Sequence, residues 1–163
     1  MKTTHKTAWM FLGLSLLLFA FGCAKDVPKG FPALHPCTIT VMQDGAPLAG
    51  ASVLFKPTQY DSLSASGKTD EKGVAVMMVQ ATYEGVPAGK YKVMVVKQTR
   101  ERNPAVKDED IQGQNVSLEM RDKAYIVTNF VDPKYGDSSK TPLEIQVTEG
   151  KNEQTFEVQK PGT

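Results

Sequence analysis

Three groups of residues have types and spacing suited to chemistry. Asp108, Asp110, Gln112 and Glu119 fall at positions 1, 3, 5 and 12 of a calcium loop, with Gly113 at the turn position. Hard calcium takes roughly six to eight oxygen ligands, the glycine makes the sharp turn, and the last Glu binds through both oxygens. Against this, Pro104 breaks the helix that should precede such a loop, and Asn115 and Val116 fill its later positions poorly. A solvated acidic loop is the competing reading. Ser66-Gly67-Lys68-Thr69 has the ending of a phosphate-binding loop. Ser62 stands where the first glycine is needed, and a β pattern follows where a helix should open, so the motif is set aside. Lys134 and Tyr135 pair a cation with an aromatic ring. They can grip a ligand, or Tyr135 can clasp the edge of a sheet with its ring packed down. Cys37 alternates with Ile39 and Val41, which suits a small buried hydrophobe better than a reactive thiol.

Charge and histidine content remove whole classes of function. The chain has 19 basic and 18 acidic residues. Loss of Lys2 and Lys6 with an export signal would turn the net charge from +1 to −1. A nucleic-acid partner needs a basic face to neutralise phosphates, and no such excess exists. Beyond residue 22 the only histidine is His35, beside Pro36. Multi-histidine zinc sites are thereby excluded, and a histidine-based triad has one poorly placed candidate.

These candidates depend on where the chain is held. Lys2 and Lys6 precede an uncharged run from Ala8 to Ala24, the n-region and h-region of a secretory signal. The run is at the short edge of the ~17–25 residues of a spanning helix. It ends Leu18-Phe19-Ala20-Phe21-Gly22-Cys23. A small residue and then cysteine at that point resembles a bacterial lipobox. The resemblance implies cleavage before Cys23, a diacylglyceryl thioether on its sulfur, and an outer-membrane destination, because Ala24 rather than Asp follows. Residues 1–22 are thus expected to be signal peptide, with the lipidated cysteine and a proline-rich tether over 23–36. A β-domain then covers 37–159, and 160–163 form a tail. One domain of that length needs no disulfide or metal to hold its core.

The domain is expected to be all-β. Cys37, Ile39 and Val41 alternate with Thr38 and Thr40, and Asp44-Gly45 is a hairpin signal. Further inward rows are read at Ala51, Val53 and Phe55, at Val74, Val76 and Met78, and at Tyr91, Val93 and Val95. Leu143, Ile145 and Val147, then Phe156 and Val158, complete them. Ser117 can cap a short helix reaching Lys123. The remainder of 99–140 is read as one long insertion loop.

Three stretches carry a family resemblance: DGAPLAGASVLFKP, GKTDEKGVAV and PAGKYKVMVV. They resemble the carboxypeptidase regulatory-like domain, through Gly45, Pro47, Leu48, Gly50, Ala51 and Val53, then Thr69, Asp70 and Gly73, then Pro87, Gly89, Tyr91 and Val93. The segment DPKYGDSSKTPLEIQV is similar to one found in small bacterial lipoproteins of this type. The resemblance implies a single seven-stranded antiparallel transthyretin-like (Ig-like) β-sandwich. Its motif residues make turns and core, not catalysis. The two histidines and tyrosine-rich ending of transthyretin-like hydrolases are missing. The Lys–Asn isopeptide bond of some related surface sandwiches lacks a well-placed lysine, Lys56 being a poor candidate, and Thr155 to Gln159 offer no asparagine.

The expected function is that of a non-enzymatic lipoprotein of the bacterial cell envelope, bound to membrane through Cys23. It needs no cofactor besides that covalent lipid, and serves an envelope protein or glycan as an accessory binding module. The alternatives are a calcium-dependent adhesion module using Asp108, Asp110, Gln112 and Glu119, and a glycan hydrolase using paired carboxylates at ~5–9.5 Å.

Overall fold

A computed structural model describes residues 27–59, 62–107, 109, 111 and 117–162. The signal segment and Cys23 lie outside them. The described residues are all-β apart from two short helical pieces. The smaller sheet is built on β2 (Cys37–Gln43), with β14 (Asn152–Val158) on one side and β3 (Ala46–Pro47) and β6 (Val74–Val76) on the other. In the larger sheet β13 (Glu144–Val147), β10 (Gly89–Val96), β4 (Ser52–Pro57), β5 (Ala65–Lys68), β7 (Met78–Val79) and β8 (Tyr83–Glu84) follow in that order. The inner faces of the two sheets enclose one core, in which Ile39, Val41, Phe55, Tyr91, Val93 and Val158 are all at most 1% exposed. The alternating rows at Cys37, Ala51, Tyr91, Ile145 and Phe156 all point inward, as their period of two requires.

Four features differ from the sequence reading. The first is strand direction. β14 runs parallel to β2, with Asn152 opposite Cys37 and Val158 opposite Gln43, so the sheets are not wholly antiparallel. A hydrophobic pattern fixes which side chains face inward but not which way the neighbouring strand runs.

The second is a slip of one residue. Ala75, Met77 and Val79 are buried at 0%, whereas Val76 is 45% exposed and Val74 and Met78 are intermediate. Every residue from Val74 to Val79 is apolar, so alternation carries no phase there. The phase comes from the turn before it. Asp70 Oδ1 accepts hydrogen bonds from the N–H groups of Lys72 (2.9 Å) and Val74 (2.8 Å). Gly73 takes a positive φ of 75°, and a β-carbon there would lie 2.6 Å from the Val41 carbonyl oxygen. The strand then changes sheets, pairing with β2 through β6 and with β5 through β7.

The third is the 99–140 segment, which is more than a loop. β11 (Gln98–Arg102) and β12 (Tyr125–Asn129) pair antiparallel over five residues as a separate two-stranded ribbon. Helix α1 (Leu118–Lys123) packs next to β12, and Ser117 Oγ accepts from the Met120 N–H at 3.2 Å, as its sequence suggests. Every residue of the ribbon except Arg102 is exposed. With neither face buried, alternation had nothing to record.

The fourth is the end of the tether. Phe31 and Leu34 pack against the core, and the Phe31 ring lies 5.3 Å from that of Tyr83. β1 (Leu34–His35) pairs with β9 (Val86–Pro87). His35 Nδ1 accepts the Gly150 N–H at 3.3 Å. Apolar side chains at 31 and 34 dock this stretch, so the folded unit starts before Cys37.

Candidate functional site

The outer face of the larger sheet gathers a depression from separate strands. Met94 on β10 stands directly opposite Leu54 on β4, and Leu54 opposite Ser66 on β5. These three, with Lys56, Leu63 and Gln80, line a trough of about 700 Å3 whose floor is mainly apolar. A second depression of about 500 Å3 is lined by Lys56, Pro57, Thr58, Gln59 and Ser64. Lys56 and Ser64 border both. At the rim, Gln80 and Ala81 close the turn between β7 and β8 with φ of 53° and 52°. Left-handed backbone costs a non-glycine residue roughly 1–2 kcal/mol, which the neighbouring strand pairing must offset.

Basic groups flank the trough. Lys92 and Lys56 are cross-strand partners, an unfavourable pairing of like charges. Lys90 and Lys92 share the carboxylate of Glu144 at 2.7 and 2.8 Å, and Lys56 Nζ donates to Ser138 Oγ at 3.0 Å. Two ammonium groups therefore share one carboxylate, and the third is held by a hydroxyl. The surface can hold an apolar group on Leu54 and Met94 while lysine, serine and amide groups at the rim bind polar or anionic ones. The residues lining the trough include no carboxylate.

Of the side chains singled out in the sequence, Ser66 and Lys56 border the trough, and Asp108, Asp110 and Gln112 are outside the described residues. Glu119 is on α1, where it is ion-paired with Lys123 at 2.7 Å. Among the described residues no three His, Cys, Asp or Glu side chains cluster for a metal. Pro133–Gly136 forms a single 3-10 turn capped by Asp132, whose Oδ1 accepts the Lys134 N–H at 2.9 Å. Tyr135 is buried in the core at 5% exposure, while Lys134 Nζ reaches Gln159 Oε1 at 2.5 Å and lies 5.1 Å from the Tyr135 ring centre. That geometry ties the turn to the end of β14. The last strand does carry an asparagine, at its first position, but Asn152 stands opposite Cys37 instead of a lysine. Its Oδ1 accepts the Thr148 N–H at 2.9 Å, and its Nδ2 donates to the Thr148 and Gly150 carbonyls at 2.9 and 3.0 Å. Asn152 is a loop clasp. Lys56, the lysine weighed for an isopeptide, faces outward on β4.

No known family model matches the chain, and no curated protein matches it. Among solved structures it is similar to the major pilin subunit of Bacillus cereus, at 14% identity and a TM-score of 0.42. That match covers 78% of this chain, which spans only 30% of the pilin's length.

Sequence reasoning passed over the trough because its residues have no common spacing. Residues 54, 66, 80 and 94 come together only through cross-strand register. The one signal available was the outward row Ser52, Leu54, Lys56, in which a leucine occupies a position expected to be polar.

Two predictions arise from these surroundings. Hydrogen bonds from Lys90 and then Lys92 pull the Glu144 carboxyl down from 4.5 to about 2. A lowered carboxyl pKa stabilises the folded state above the unfolded value and loses that effect as pH falls through the folded one. The link between β10 and β13 is therefore expected to stay intact at pH 5 and to weaken between about pH 4.5 and 2. An NMR titration of the Glu144 side chain with a midpoint above 4 would contradict this. Burial pushes the Cys37 thiol up to about 11, so at neutral pH it stays protonated as well as enclosed. Iodoacetamide is expected to leave Cys37 unmodified in the native protein and to alkylate it fully in guanidinium. Modification at equal rates in both states would place that side chain on the surface.

Proposed function

We propose that this chain is a non-catalytic lipoprotein of the bacterial cell envelope. Its transthyretin-like, carboxypeptidase regulatory-like sandwich serves as an accessory module that binds an envelope protein or glycan. The trough of Leu54, Lys56, Ser66 and Met94 carries this reading. It offers an apolar floor and cationic and hydroxyl groups at the rim, on the widest exposed sheet face. The motif residues that suggest the family support the same view, because they are occupied with structure. Thr69 and Asp70 hold turns, while Ala51, Val53, Tyr91 and Val93 fill the core. Recognition must therefore come from the outer surface.

The anchoring part rests on Gly22-Cys23 at the close of the uncharged run. A single acyl chain binds membranes only marginally, and two or three hold firmly. Tethering of that kind raises the concentration of a binding module near envelope partners without any catalytic group.

The test has two arms. Wild-type protein is expected to fractionate with membranes and to label with palmitate, and Cys23→Ser to abolish labelling while leaving the sandwich folded. A membrane-bound, unlabelled chain that retains Met1, or a soluble mature form, would overturn the lipoprotein reading. In the second arm a photo-crosslinking amino acid replaces Met94 in cells producing the protein. A discrete adduct sensitive to protease or to glycan-degrading enzyme is expected, and it should be lost with Leu54→Arg. The absence of any adduct would overturn the binding module.

A further inference from the structure

The β11–β12 ribbon is asymmetric in a way that points to a second copy of this chain. A two-stranded hairpin alone is marginally stable, and three or more strands are the usual minimum. Natural edge strands are protected by charges, proline or bulges. β11 has that protection in Arg100, Glu101 and Arg102. β12 has none. From Ala124 to Val131 the chain reads AYIVTNFV, without a charge or a proline, and Tyr125, Ile126, Val127 and Phe130 are 39–49% exposed.

The backbone shows which groups are available. At the two ends of the ladder the Phe130 N–H donates to the Lys97 carbonyl, and the Asn103 N–H donates to that of Ala124. Even-numbered residues of β12 therefore turn their backbone groups toward β11, and Tyr125, Val127 and Asn129 turn theirs outward. Among the described residues no other strand pairs with that edge.

We propose that two copies pair through this edge about a two-fold axis at Val127, giving a continuous four-stranded antiparallel sheet. In that register Val127 faces Val127 of the second copy, and Tyr125 faces Asn129. All five residues of β12 are paired. A two-fold axis sets each position against its mirror position, so charges near it tend to repel. An uncharged strand escapes that penalty, and the charged strand β11 is carried to the outside of the new sheet. The single-edge seam is smaller than the ~1,000 Å2 of a stable interface, so the dimer is weak in dilute solution. Confinement to a membrane, on the lipoprotein reading above, raises its population, but the pairing does not depend on that anchor.

The test is disulfide trapping in cells producing the full chain, with copper phenanthroline as oxidant. If the chain proves not to be membrane-bound, the same variants are oxidised in the soluble fraction, so failure of the anchor and failure of the pairing are told apart. Val127→Cys is expected to give a dimer of twice the chain mass. The wild-type chain, and Thr99→Cys one strand away, are expected to give at least tenfold less. Tyr125→Cys produced together with Asn129→Cys is expected to join as a mixed dimer, which reads the register directly. Val127 is half exposed, so the substitution leaves the core intact, and retained resistance to protease checks this. No dimer at position 127, equal trapping at Thr99, or an adduct with a different protein would each overturn the proposal.

Discussion

Phe55→Ala is expected to destabilise the domain by about 3–5 kcal/mol, the range for emptying a fully buried aromatic site. Phe55 is 1% exposed, and its ring centre lies 5.5 Å from that of Tyr91, which is itself fully buried. The two rings bridge β4 and β10 at the middle of the larger sheet. The surroundings cannot easily collapse into the space, because Tyr91 is fixed at its far end. Its hydroxyl donates to the Pro87 carbonyl at 2.9 Å and is 2.7 Å from Ser62 Oγ. Urea unfolding measures the loss. A cost under 1 kcal/mol would put Phe55 outside the core and reverse the register of β4. Phe55→Leu, which keeps most of the volume, is expected to cost clearly less.

The second large effect belongs to a polar residue. Thr69 is 4% exposed, between the turn at Asp70 and the strand at Ala51. Its Oγ1 accepts the Ala51 N–H at 2.8 Å and donates to the Leu48 carbonyl at 2.6 Å. Thr69→Val keeps the shape and removes both bonds, leaving a buried donor and a buried acceptor without partners. Each such group costs ~1–3 kcal/mol, so for the two a loss of about 2–6 kcal/mol is expected. Thr69→Ser retains the hydroxyl and should recover most of it. If serine and valine prove equally destabilising, the methyl packing of Thr69 matters and its hydrogen bonds do not.

The contrast between these two residues shows what a sequence displays and what it hides. Phe55 was legible because it sits in a clean alternation with exposed neighbours at Leu54 and Lys56. Thr69 was visible only through the family pattern, since a threonine in a turn looks solvated until the chain folds over it. From Val74 to Val79 an unbroken apolar run erased the phase, which Asp70 and Gly73 supply from outside the strand. The β11–β12 ribbon buries neither face, so no period marked it, although Ser117 did mark the start of α1. The trough was the least legible part. Its residues 54, 66, 80 and 94 lie on β4, β5 and β10 and in the turn after β7, and meet only through register, a property of the sheet and not of any segment. Asp108, Asp110 and Gln112 show the opposite case, a candidate read from spacing within one segment, and it lies outside the described residues.

The parallel pairing of β2 with β14 also decides how the domain bears load. A force pulling Cys37 and Val158 apart runs along both strands and across the bonds that join them. Seven residue pairs, from Asn152–Cys37 to Val158–Gln43, then share the tension at once. An antiparallel pair pulled from adjacent ends would open one rung at a time like a zipper, whereas here the rungs must shear together. Forced unfolding is governed by the unfolding rate, and a transition that breaks every rung in one step makes that rate slow. The strand that closes the fold thus also makes it a mechanical link, stiff along the line between its two ends.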